Sequence, residues 1–294
     1  MTQASRFREL LHRDGMVVAP GAYDCITARL IAQAAFDAVY MTGAGTAATL
    51  GYPDFGLVTM SEMVGNAERI AAAVDLPVIA DADTGYGNEL NVYRTVREFE
   101  RSGVVGIHIE DQGFPKKCGH LDDKEIVPRE DWLTKIRAAA AARRNPDFLI
   151  IARTDARAVA GFDEAVARAN AALAAGAEMA FVEAPQTLEE VAAVPRLVNG
   201  PCLLNLVWGG KTPDLDLREA ARMGYKLAIL PGLLLKCVVG ICEDKLAELQ
   251  AIHRHPAPPK EMTVREMFQR VGADEWDARR HQFRPAAPTR NAAE

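Results

Sequence analysis

This sequence of 294 residues has no run of basic residues, no paired cysteines and no uninterrupted apolar stretch long enough to cross a bilayer. Each lack excludes a class of function. With a formal net charge of -6 and acid and base mixed along the chain, there is no basic face for nucleic acid and no polybasic segment for a membrane surface. The five cysteines (Cys25, Cys118, Cys202, Cys237 and Cys242) are odd in number and lack zinc-type spacing, so free thiols in a reducing cytoplasm are expected. The first residues carry Arg6, Arg8, Glu9 and Arg13 where an export signal would have an apolar core. The longest apolar stretch, 227–242, is broken by Pro231, Gly232 and Lys236 and reads as buried barrel wall. What remains is a soluble, cytoplasmic globular chain with a small-molecule partner.

Apolar runs alternate with helical patterns eight times. Strands are predicted at 16–19, 38–41, 77–80, 106–109, 149–152, 179–182, 202–206 and 226–230, with helices between them. The first strand is expected to stop at Pro20-Gly21, and a loop rich in glycine and threonine is expected after the second. Thr59 and Glu62, three apart, announce the next helix as a capping box. Nearly continuous apolar strands imply a parallel sheet covered on both faces, and eight units close into a (β/α)8 TIM barrel, with a doubly wound sheet as the alternative. A proline-rich linker at 255–262 separates the barrel, 1–254, from a helical segment, 263–283, expected to pack against a partner subunit. The tail at 284–294 is expected to be disordered.

In a TIM barrel the active site lies at the carboxyl ends of the strands. Those ends carry Tyr40 and Thr42, Asp81 and Asp83, Glu110 and Asp111, Arg153 and Asp155, Glu183, and Asn205. Asp81 and Asp83 alone would read as loop caps. Beside Glu110 they become a candidate site for magnesium, which takes a few carboxylate oxygens and completes its shell with water. Arg153 can grip a substrate carboxylate with two parallel hydrogen bonds, or pair with Glu183 or Asp155. His108 shares a face with Glu110 and is expected to be a satisfied barrel-interior histidine. Cys25, Cys202, Cys237 and Cys242, in apolar segments, are expected in the core.

After the fourth strand comes a loop long enough to be a lid, carrying Lys116-Lys117-Cys118-Gly119-His120. Cationic neighbours are expected to lower the thiol's pKa, and Gly119 to let the backbone approach a bound carboxylate.

These segments, with Asp81-Ala82-Asp83-Thr84-Gly85-Tyr86-Gly87, Gly51-Tyr52-Pro53-Asp54 and Ile151-Ala152-Arg153-Thr154-Asp155-Ala156, resemble the isocitrate lyase / phosphoenolpyruvate mutase superfamily over nearly the whole chain. The likeness is greatest to its 2-methylisocitrate and 2,3-dimethylmalate lyase members. The resemblance implies a barrel whose last helix is exchanged between subunits of a homotetramer, and a requirement for Mg2+ or Mn2+. It implies retro-aldol, Claisen-type cleavage of a 2-hydroxy di- or tricarboxylate to a 2-oxo acid and a carboxylate. Asp81, Asp83 and Glu110 would hold the metal. Cys118 would protonate the departing carbanion, with Lys116, His120 and Arg153 holding charge around it and Tyr40 sharing proton traffic at the hydroxyl end. Substrate contacts would fall on Thr42, Gly43, Ala44, Asp54, Gly119, Glu183, Asn205, Lys236 and Arg265. The chain departs from tricarboxylate cleavers at Thr42, at Val207 and Trp208, and at Lys236. Loss of polarity at Val207 and Trp208 suggests a smaller or less polar second half of the substrate. Oxaloacetate hydrolysis or decarboxylation is the alternative activity, and a catalytically silent binding barrel the alternative of another class.

Overall fold

The computed structural model describes residues 2–283, in which eight parallel strands close into a barrel in sequence order. The strands are β1 Val17–Ala22, β2 Val39–Met41, β3 Val78–Asp81, β4 Gly106–Glu110, β5 Leu149–Thr154, β6 Met179–Val182, β7 Cys202–Asn205 and β8 Leu227–Leu230. Around and between them run helices α1 Gln3–His12, α2 Cys25–Gln33, α3 Gly43–Thr49, α4 Met60–Ala73, α5 Glu89–Arg101, α6 Arg129–Ala142, α7 Ala156–Val159, α8 Phe162–Ala174, α9 Leu188–Leu197, α10 Leu217–Met223, α11 Leu233–Ile252, α12 Val264–Arg270 and α13 Ala273–Phe283. The closed order excludes the doubly wound sheet. The described residues fall into two compact units, one that ends at Ile241 and a second that begins at Cys242. The expected disorder at 284–294 lies outside the described residues.

Side chains alternate across each strand, so every second residue enters the barrel. Ala19, Tyr40, Ile79, Leu149, Ile151, Met179, Phe181, Leu203, Leu227 and Ile229 form one buried cluster inside it, and Phe7 and Leu10 of α1 join that cluster. The opposite faces of the strands pack against the helical ring in two further clusters.

Two expectations fail in instructive ways. β1 does not stop at Pro20: Pro20 pairs in register with Leu230 and Gly21 with Tyr40. A Cβ on Gly21 would lie 2.5 Å from the Pro231 carbonyl oxygen, so this glycine serves strand packing and does not end the strand. The expected glycine-rich loop after β2 begins as helix α3, capped by the Thr42 hydroxyl, which accepts from the Gly45 amide at 3.3 Å. Its glycines are set by neighbours as well, since a Cβ on Gly43 would collide with the Asp81 carboxylate. The Thr59–Glu62 capping box forms as read, and a second one, Thr263–Glu266, opens α12.

The apolar stretch at 227–242 is barrel wall only as far as β8. Its remainder opens α11, whose apolar residues run around the helix and not along one stripe, and no residue of α11 is buried. Cys237 and Cys242 are therefore exposed and Cys25 is half-buried; only Cys202 is a core thiol. No helix among the described residues is long and apolar enough to cross a membrane.

Candidate active site at the barrel mouth

The period-two pattern that fills the barrel with apolar side chains turns polar at its upper rim. Above Ile79 stands Asp81, above His108 stands Glu110, above Ile151 stands Arg153, above Phe181 stands Glu183, and above Leu203 stands Asn205. Register brings them side by side: Asp81 is the Cα partner of His108, and Glu110 that of Arg153. All are buried.

His108 and Tyr40 form the floor. The Tyr40 hydroxyl lies 2.8 Å from His108 Nε2 and 3.4 Å from Asp81 Oδ2. Burial lowers the His108 pKa to about 4, so the imidazole is neutral at physiological pH. Burial, helped by Asp81, raises the Tyr40 phenol well above its ordinary value. His108 is thus the barrel-interior histidine expected, though its Nδ1 has no partner.

The acidic residues fit a divalent cation. Both Glu110 oxygens are buried and accept no hydrogen bond; Arg153 Nε approaches Oε2 at 3.2 Å without hydrogen-bond alignment. Burial pushes the Glu110 carboxyl well above its usual range. Asp83, in a left-handed conformation at φ 47°, is raised to about 6 by burial against the opposing pull of Lys116. At Asp81 burial is outweighed by His108, Lys116 and Arg153, which hold it at about 2. A buried carboxylate without a partner is costly, and a bound cation removes that cost. Among the described residues no three His, Cys, Asp or Glu side chains converge into a ready cage. A cation here would take part of its shell from water, as magnesium does.

Residues 113–124 lie across the mouth and are fastened to it at three places. Lys116 Nζ is 2.5 Å from Asp54 Oδ1 and 2.7 Å from Asp83 Oδ1. His120 Nε2 is 3.1 Å from Glu183 Oε1, and its Nδ1 accepts from the Lys211 amide at 3.0 Å. Lys124 Nζ donates to Asp155 Oδ1 at 2.7 Å and to the carbonyl of Gly119. Gly119 packs so closely on the strand ends that a Cβ would strike Arg153 Nη2 and lie 2.6 Å from Glu183 Cγ.

Cys118 corrects the expectation for its acidity. Its thiol is raised above the ordinary thiol pKa, because burial outweighs the donated His120 amide and the Arg153 charge. Lys117 contributes little there: its ammonium donates to the Asp123 carbonyl at 3.2 Å in an exposed position. The group is held as a neutral thiol and not as a thiolate.

Other site residues fall into place unequally. Arg153 donates to Asp155 Oδ2 at 2.9 Å and approaches Glu183 Oε2 at 3.4 Å, so both ion pairs open to it from sequence are made. Asn205 Nδ2 donates to Glu183 at 3.2 Å while its Oδ1 is free. The start of α3 brings Gly43 beside Asp81, with Thr42 and Ala44 as its chain neighbours. Lys236 spends its ammonium on the Trp208 carbonyl, and Trp208 is 79% exposed. Arg265 lies on α12 in the second unit. Sequence reasoning passed over Gln112, whose side-chain amide brackets the Lys117 backbone at 2.8 and 3.0 Å, and Lys124. A polar residue at each end of the lid was the available signal.

A family model described as phosphoenolpyruvate phosphomutase matches residues 7–250. The chain is 52% identical to the 2,3-dimethylmalate lyase of Eubacterium barkeri over 79% of its length and 80% of that protein. It is 45% identical to a 2-methylisocitrate lyase of Aeropyrum pernix over 82% of its length and 78% of that protein. Among solved structures it is similar to oxaloacetate acetylhydrolase in complex with 3,3-difluorooxalacetate, at TM-score 0.92 and 36% identity over 97% and 99% of the two chains. A phosphonopyruvate hydrolase complexed with oxalate and Mg++ superposes at TM-score 0.84 and 29% identity over 96% and 99%.

Proposed function

The chain belongs to the phosphoenolpyruvate mutase/isocitrate lyase superfamily, and from that premise we propose that it is a magnesium-dependent carbon-carbon lyase of a substituted malate or small tricarboxylate. The observation that carries this reading is a half-buried thiol, held protonated, on a lid that lies across the mouth where the buried Glu110 carboxylate accepts no hydrogen bond. A phosphoryl-transfer site has no use for a positioned thiol acid, whereas a departing carbanion needs one.

Asp81, Asp83 and Glu110 are assigned to Mg2+ or Mn2+, directly or through water. Bound there, the cation supplies Lewis acidity that lowers the pKa of the substrate hydroxyl and stabilises the oxyanion. The protein does the rest. Tyr40, backed by neutral His108, takes up proton traffic at the hydroxyl end. As the carbon-carbon bond breaks, its electron pair stays on the carbon beside the second carboxylate, and Cys118 gives that carbon its proton. Arg153, His120 and Lys116 balance the charge of the doubly anionic enolate, and the closed lid keeps out competing water. Thr42, Gly43, Ala44, Asp54, Gly119, Glu183 and Asn205 line the substrate. Lys236 and Arg265 are further cationic anchors, and Arg265 would act in a homotetramer of helix-swapped dimers; the unburied apolar residues of α11 support such an assembly.

2,3-Dimethylmalate is the favoured substrate, because Val207 offers an apolar wall and no partner for a third carboxylate. Oxaloacetate hydrolysis is the second reading, favoured by the superposition on oxaloacetate acetylhydrolase. The test is product release from 2,3-dimethylmalate, 2-methylisocitrate, isocitrate, citramalate and oxaloacetate, each with Mg2+ and with chelator. A 2-oxo acid released from dimethylmalate or methylisocitrate only with metal is expected. Turnover of oxaloacetate alone would transfer the site to the hydrolase reading, and metal-independent cleavage would remove the proposal.

A further inference from the structure

Lys124, at the far end of the lid, has an ammonium that is wholly buried, its side chain 1% exposed. Lysine is rarely placed so unless its charge is used. Here it bridges two things that otherwise do not touch through a cation: the Gly119 carbonyl, inside the lid's own catalytic turn, and Asp155 Oδ1, at the end of β5. Asp155 is also the carboxylate that orients Arg153, accepting Nε at 2.9 Å on Oδ2 and Nη2 at 3.3 Å on Oδ1. Lys124 and Arg153 therefore divide one buried carboxylate, and share its Oδ1.

Asp155 is itself held from behind. Its amide donates to Asp111 Oδ1 at 2.8 Å, and the neighbouring Thr154 hydroxyl to Asp111 Oδ2 at 2.6 Å. Arg168 of α8 then ties Asp111, at 3.1 Å, to the Val127 carbonyl at 2.9 Å, where the lid rejoins the barrel. The bracket is thus cross-tied to β4, β5 and α8, whereas the Gly119 turn reaches it through the Lys124 ammonium.

We propose that Lys124 is the positioning residue of the lid: it seats the Cys118-Gly119-His120 turn on Arg153 by joining the Gly119 carbonyl to Asp155, and limits how far Asp155 draws Arg153 away from Glu110 and Glu183. This rests on the lyase reading for its kinetic consequence but not for its structural one. Without the ammonium, the Gly119 carbonyl loses a buried donor, and Asp155 is left to Arg153 alone. Cys118 would then no longer be held over the reacting carbon, and a displacement of about 1 Å there costs about 100-fold in rate.

The test compares wild type, Lys124→Met and Lys124→Arg. In Lys124→Met, amide hydrogen exchange across residues 113–121 should rise about tenfold with Mg2+ as the only added probe, while the barrel strands exchange unchanged. Alkylation of Cys118, followed by peptide mapping, should accelerate in parallel. With the substrate that the panel identifies, kcat should fall about 100-fold with a much smaller change in KM, and Lys124→Arg should recover most of it. Lid exchange and Cys118 reactivity equal to wild type would overturn the proposal, as would faster exchange spread evenly through the barrel, which would make Lys124 a general structural residue. If no substrate of the panel is cleaved, the lyase reading fails, and lid exchange still decides the role of Lys124.

Discussion

At Cys118 two effects compete and burial wins. Nearby positive charge favours thiolate, but the thiol is half-buried, and the cations around it are engaged elsewhere: Lys116 by Asp54 and Asp83, Arg153 by Asp155. Its pKa is therefore raised above the ordinary thiol value. A raised thiol pKa keeps the protonated, proton-giving form in place as pH rises, so the alkaline limb of kcat should lie above the range in which a free thiol ionises, and its position should move in Cys118→Ser. A limb near neutrality assigned to Cys118 would show a thiolate instead. Alkylation followed by peptide mapping at pH 7.5 should label Cys118 slowly, since a thiol held protonated is a weak nucleophile. Cys202, pushed by burial to about 12, should stay unlabelled. Sequence could name this cysteine because its neighbours are charged. It could not give the sign of the shift, which depends on where the neighbours' charges are spent.

The elements that carry the site were legible wherever period and spacing speak directly. Alternation along the strands marked Asp81, Glu110, Arg153, Glu183 and Asn205 as rim residues, and the Thr59–Glu62 spacing marked the start of α4. Glycine was the residue that misled. In Gly21, Gly43 and Gly119 it answers to crowding by another segment, a fact written in the tertiary structure and not in the local sequence. This makes two substitutions informative. Gly119→Ala puts a methyl against Arg153 and Glu183, so the lid should fail to seat: kcat/KM should fall by about 100-fold or more with the melting temperature nearly unchanged, as assayed beside a thermal scan. Gly43→Ala should instead press on Asp81 and weaken Mg2+ binding by calorimetry. Equal metal affinity in that variant would separate Asp81 from the metal.

For the whole molecule, the strand ends and the loops above them gather six carboxyl groups (Asp54, Asp81, Asp83, Glu110, Asp155 and Glu183) and the side chains of Lys116, Lys124 and Arg153 at one end of a barrel whose interior is, His108 apart, mostly apolar. Such an excess of acid facing an anionic substrate makes sense with a divalent cation between them. The unburied apolar residues of α11 belong to the same scale. Light scattering should return a mass of four chains, and Val239→Asp should shift it downward. A monodisperse monomer would leave those residues without a partner. The central claim, a thiol acid working with a metal, meets its most direct test in one rate comparison. With saturating Mg2+ and the best substrate of the panel, wild type should release 2-oxo acid at least about 100-fold faster than a folded Cys118→Ser variant, and chelator should abolish the difference. Equal rates in the two proteins would contradict it.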